Sequence, residues 1–131
     1  MFIDVLKYSG VALVVFLVID ALWLGVIAKN FYSTELGVLL RANPNLLVAG
    51  LLYVILAAAL SYFVILPALA AGDITQVILA GLFFGFATYA TYNLTNLATI
   101  DGYSVKLAVV DLLWGSFLVS SVSTITYLIF R

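Results

Sequence analysis

Apolar residues run almost unbroken over four stretches, at about 3–28, 46–69, 74–99 and 104–130. Each exceeds the roughly 20 residues with which a helix crosses about 30 Å of hydrocarbon, so each predicts a membrane span. Together they nearly exhaust the 131 residues and leave one transmembrane domain, 1–131. The breaks carry helix punctuation. Asn43-Pro44-Asn45 stops the first connection, because proline disfavours helical geometry in the residue before it and is tolerated at a helix start. Pro67 lies near the end of the second span, and Ala70-Ala71-Gly72 predicts a tight reversal. Asp73 with Gln76 resembles a capping box, and Ser104 is placed to cap the fourth span. Two short hairpins predict an all-α, antiparallel four-helix bundle. The first stretch has the outline of a secretory signal, but Asp20 and Trp23 stand where such a core is apolar, so it reads as a membrane helix.

The connection FYSTELGVLLRANPN is too charged to span and too apolar to float free. It predicts an interfacial turn or short amphipathic helix, with Phe31, Tyr32, Leu36, Leu39 and Leu40 toward the acyl boundary and Glu35 and Arg41 toward water. Gly81 and Gly85 in the third span form a small-xxx-small pair that lets another helix approach closely.

Polar side chains break the apolar pattern between Thr88 and Asp111. At about 100° per residue, Tyr89, Tyr92, Asn93 and Asn96 fall within an arc of about 100°, beside a threonine stripe of Thr88, Thr91, Thr95 and Thr99. Depth adds a second regularity. Measured inward from the face that carries the first and third connections, Asp20, Tyr53, Asn93 and Asp111 all lie about 10 to 13 Å deep at a rise of about 1.5 Å per residue. One polar group from each span thus falls in a single layer.

The carboxylates are the expensive members, since an ionisable group at mid-bilayer costs at least about 2.5 kcal/mol and usually faces a bundle interior. No Lys or Arg lies within a span near them. Asp20 and Asp111 must therefore be protonated, neutralised by a cation, or satisfied by Tyr and Asn donors. In the plainer account these groups bond one another as interhelical glue. In the other, Asp20, Tyr53, Tyr89, Tyr92, Asn93, Asn96, Asp111 and Trp114 form an intramembrane ligand-binding pocket.

Composition narrows the chemistry. The chain is 66% hydrophobic and 8% charged, with a net charge of −1, which excludes a soluble globular domain and a nucleic-acid partner. Cysteine and histidine are absent, which removes disulfides, thiol catalysis, the usual zinc ligands and a Ser-His-Asp triad. No cofactor or metal motif is present. Lys29, Arg41 and Lys106 oppose Lys7, Arg131 and the terminal amine across the bilayer, a balance that slightly favours cytoplasmic connections.

Asp20-x-x-Trp23 and Asp111-x-x-Trp114 share a pattern. Antiparallel helices place Trp23 outward of its Asp and Trp114 inward, so Trp23 is expected in an interfacial belt and Trp114 in packing or a pocket wall. Asp20-x-x-Trp23-Leu24-Gly25, Phe31-Tyr32, Leu36-Gly37, Pro67-Ala68-Leu69, Tyr89-x-Thr91-Tyr92-x-Leu94-Thr95-Asn96-x-Ala98-Thr99 and Asp111-x-x-Trp114-Gly115 together resemble a bacterial family of small membrane proteins, the domain of unknown function two-one-seven-seven. The resemblance implies a four-span, multi-pass protein of the bacterial inner membrane with no established activity and a link to membrane lipids. The residues point to binding or translocation of a small cation, a proton-coupled solute or an amphiphile. One alternative is a membrane-embedded enzyme or accessory factor in lipid modification, with Asp20 or Asp111 as acid or base and Tyr89 or Tyr92 as proton donor. Another is a structural subunit. No nucleophile supports catalysis, so the reading leans away from an enzyme. Membrane lipids are the expected partners, and a homo-oligomer is compatible with the pattern.

Overall fold

The computed structural model describes residues 1–131. Four long helices form an all-α membrane bundle: α1 (Phe2–Ile27), α3 (Leu46–Ala71), α4 (Ile74–Thr99) and α5 (Val105–Phe130). A short helix, α2 (Lys29–Leu36), and a 3₁₀ turn, Gly37–Leu39, lie between α1 and α3. Each long helix has 26 residues, about 39 Å of rise, and is apolar enough to cross a membrane.

Local chemistry fixes the helix starts. Asn45 accepts the Val48 N–H at 3.2 Å, Asp73 that of Thr75 at 2.9 Å and Ser104 that of Leu107 at 3.0 Å, satisfying donors that have no partner in a first turn. Gln76 takes no part, so Asp73 is a simple cap and not half of a reciprocal box. Gly72 ends α3 at φ +64°, a conformation that a β-carbon disfavours. Within α3, residues Ser61–Ile65 widen into a π-helical turn. Pro67 explains its position: the ring has no N–H for the Phe63 carbonyl and crowds that turn, and the ladder shifts by one residue just before it. The last turn of α1, Trp23–Ile27, is also π-helical, closed by the Ala28 N–H on the Trp23 carbonyl at 2.7 Å.

Packing sorts the helices. Helix α1 lies against α3 and α5, and α4 packs along α5. The first half of α3, Leu46–Leu60, leans on α1, and α3 meets α4 mainly from Ser61 onward. The two therefore diverge toward the face that carries α2. The core is built from Phe16, Leu60, Ile65, Val77, Leu118 and Val122, all fully buried. Lipid tails are as apolar as leucine, so helix association depends on close packing and on polar contacts. Along α4 and α5 the packing is backbone on backbone. A β-carbon built on Gly81 would lie 2.7 Å from Ser120 Cα, and one on Gly85 would lie 2.9 Å from Ser116 Cα. Ser116 and Ser120 donate to the Leu82 and Ile78 carbonyls at 2.7 and 2.9 Å across the same seam.

Candidate functional site

Near the α2 face, side chains from every helix converge on two buried carboxylates. Asp20 on α1 is 5% exposed and Asp111 on α5 is 9% exposed. Tyr53 of α3 donates to Asp20 Oδ2 at 2.5 Å and the Trp114 indole of α5 to Asp20 Oδ1 at 3.1 Å. Tyr32 of α2 donates to Asp111 Oδ1 at 2.5 Å, and Asn93 of α4 to Asp111 Oδ2 at 2.7 Å. Each of the four carboxylate oxygens thus accepts one neutral donor. Tyr, Asn and Trp donors reach both carboxyls inside the bundle.

The network extends outward from both centres. Trp23 donates to the Tyr32 oxygen at 3.1 Å. Asn93 also donates to the Tyr89 carbonyl at 2.9 Å, which fixes its amide orientation and leaves its oxygen to accept from Tyr103 at 2.9 Å. The Trp23 and Trp114 rings stack 4.2 Å apart with planes 9° from parallel, so the two carboxylates share an aromatic wall. The motifs are cross-connected. The Trp of the second donates to the Asp of the first, and the Trp of the first reaches the Asp of the second through Tyr32.

Trp23 therefore lies within the network and not in an interfacial belt. The Cα–Cβ bond of a helical residue tilts toward the helix N-terminus. In antiparallel α1 and α5, that tilt carries Trp23 inward and Trp114 outward, so both indoles enter the layer from opposite sides. Tyr32 also departs from expectation, turning from the acyl boundary into the bundle. Helix α2 is strapped across the end of α5, with Ser104 donating to Glu35 at 2.7 Å and the Lys106 ammonium 5.8 Å from the Phe31 ring centre. Burial, then the bond to Asp111, holds the Tyr32 phenol well above its ordinary range.

The eight residues singled out as a pocket divide three ways. Asp20, Tyr53, Asn93, Asp111 and Trp114 join the network. Tyr89 packs its ring on Gly115 and lends its backbone carbonyl to Asn93. Tyr92 and Asn96 line a cleft of about 590 Å³ between the diverging ends of α3 and α4, with Val48, Ala49 and Leu52 opposite and Leu36, Leu39, Leu40 and Arg41 at its mouth. Tyr103, in the α4–α5 turn, belongs to both: it lines the cleft and bonds Asn93. Its side chain is 8% exposed, and burial pushes the phenol up to about 12. A second groove, about 430 Å³, runs along α4 and α5 beside Ser121 and Thr124. Neither cavity is lined by Asp20 or Asp111.

The threonine stripe is not part of the site. Thr88, Thr91 and Thr99 bond carbonyls of their own helix, the usual resort of a hydroxyl in a membrane span. The residues that sequence reasoning missed are Trp23, Tyr32 and Tyr103. Only Trp23 carried a signal, its spacing from Asp20.

A family model described as "Predicted membrane protein (DUF2177)" matches residues 5–128. No curated protein and no solved structure matches the chain.

Proposed function

This chain belongs to that family of predicted membrane proteins, and we propose that it binds a membrane amphiphile in the cleft between α3 and α4. The observation that carries this reading is the double role of Tyr103, whose ring lines the cleft and whose hydroxyl is bonded to the carboxylate network. The network then acts as a rigid frame. It holds all five helices together at the height where α3 and α4 separate, and it presents Tyr103 on the bundle side of a mostly apolar groove whose other polar groups include Arg41, Asn45 and Asn96. A volume of about 590 Å³ falls within the usual range of small-molecule sites. Val48 and Leu52 are each 60% exposed and Tyr92 55%, so the cleft opens sideways, where the surroundings of a membrane span are lipid.

A cation or proton site at Asp20 and Asp111 draws less support, because every carboxylate oxygen already accepts a donor and neither cavity reaches them. A catalytic role draws less support still, because the tyrosine hydroxyls bonded to those acids, of Tyr32 and Tyr53, serve as donors to the carboxylates, and Tyr92 lies in the cleft away from them. A photoactivatable fatty-acid analogue in vesicles containing the protein tests the proposal. Labelling is expected on residues 45–52 and 92–103, and Ala49→Trp, which fills the cleft wall, should reduce it several-fold. Labelling centred instead on the groove at Ile78, Leu82 and Phe117, or left unchanged by Ala49→Trp, would overturn the reading.

A further inference from the structure

We infer that the amphiphile held in the cleft is an acidic lipid, its headgroup held by Arg41; this rests on the cleft reading above. Arg41 is the one charged residue among those lining the cleft. Lys29, Glu35, Asp101 and Lys106, the other charges on that face, do not line the cleft. Glu35 accepts from Ser104 at 2.7 Å, and Lys106 lies over the Phe31 ring. The ion pairs of the molecule are both at Asp4, near the opposite end of α1, with the terminal amine at 3.7 Å and Lys7 at 3.9 Å. Arg41 thus has no acidic partner, and its side chain makes no hydrogen bond to the protein.

An unpaired guanidinium beside an apolar groove is complementary to a ligand with an anionic head and a hydrocarbon tail. Guanidinium stays protonated at any physiological pH and offers a planar fork of donors that matches phosphate or carboxylate oxygens. The spatial order fits such a molecule. Arg41 and Pro44 stand in the connection outside the spans, and Val48, Ala49 and Leu52 descend along α3 into the hydrocarbon layer. A lipid entering from the side would meet the charge with its head and the aliphatic wall with its acyl chain. The occupant is therefore a lipid of the leaflet on the α2 side, not a soluble anion.

The test uses the full chain in phosphatidylcholine nanodiscs doped with phosphatidylglycerol, reading the lipid that stays bound by native mass spectrometry. The parent should retain phosphatidylglycerol over phosphatidylcholine by about fivefold, the effect of one basic side chain at a membrane surface. Arg41→Gln should abolish the preference, Arg41→Lys should keep part of it, and Lys29→Gln, on the same face but outside the cleft, should leave it intact. Equal retention of the two lipids by the parent, or equal losses in the Arg41→Gln and Lys29→Gln variants, would overturn the assignment of Arg41. If Ala49→Trp still reduces retention of both lipids in that case, the cleft stands and only its charge selectivity is lost. Retention unchanged by Ala49→Trp would overturn the cleft and this inference with it.

Discussion

Two regions of the bundle hold their helices together by different means. Toward the α2 face, side chains reach across space to two carboxylates, and the backbones of α3 and α4 stand apart. Along the α4–α5 seam, Gly81 and Gly85 bring backbone against backbone and serines bond directly to the carbonyls of the neighbouring helix. Both arrangements answer the same problem, that helices in lipid gain nothing from hiding apolar surface from one another. They differ in what they leave free. A seam of glycines leaves no room between the two backbones, only a groove of about 430 Å³ along its outer side, whereas a frame of long polar side chains holds helices at a distance and leaves the larger opening beside it. The larger of the two cavities accordingly lies at the second kind of contact.

The largest loss is expected at the seam. Gly85→Leu places a branched side chain where even a β-carbon would lie 2.9 Å from Ser116 Cα and from Val119 Cβ. Neither backbone has room to yield without parting the helices. Destabilisation of at least about 3 kcal/mol is expected, at the upper end of overpacking effects. Thermal unfolding in detergent, followed by circular dichroism, measures it. A variant that melts like the parent would show that the seam is not the clamp.

A smaller loss is expected at the frame. Asp111→Leu leaves the Tyr32 hydroxyl and the Asn93 amide without their acceptor, at a cost of about 2 kcal/mol in total, given that interhelical hydrogen bonds in membranes are weaker than the penalty for a buried orphan in water-soluble cores. Asp111→Asn retains one acceptor oxygen and should cost about half as much. If the two variants are equally destabilised, the charge of Asp111 matters more than its acceptors. The cation reading would then regain ground over the frame.

Much of this frame was legible in the chain. The depth coincidence of Asp20, Tyr53, Asn93 and Asp111 follows from a constant helical rise, and the structure pairs Tyr53 with Asp20 and Asn93 with Asp111. The failures have physical causes. The arc of Tyr89, Tyr92, Asn93 and Asn96 is about 100° wide, and a helix edge of that width faces two surroundings. Its Asn93 border turns into the bundle, and its Tyr92 and Asn96 border faces the cleft. Depth counted along Cα positions ignores the tilt of side chains, which is why Trp23 was expected at the interface. Tyr32 and Tyr103 lie in connections, where no periodicity predicts direction; only tertiary contacts decide it. The divergence of α3 from α4 has no local sign, since it depends on which helix each half of α3 leans against.

The mildest intervention separates the frame from the cleft at the residue they share. Tyr103→Phe keeps the ring against the cleft wall and removes only the donor to Asn93, so a loss of about 1 kcal/mol or less is expected at neutral pH. Alkaline conditions sharpen the test. Burial raises the folded phenol to about 12, against an ordinary value of about 10, so the folded state favours the neutral form. The stability that this phenol contributes is intact below about pH 10 and is lost as pH rises through 12. Tyr103→Phe has no such proton to lose. The melting temperatures of parent and variant, separated at neutral pH by the missing bond, should therefore approach each other over that interval. Tyr32, raised further in the same direction, titrates identically in both proteins and cancels from the difference. A gap that stays constant through the alkaline range would mean that the Tyr103 hydroxyl is not held in the interior, and the link between cleft and carboxylates would fail at that point.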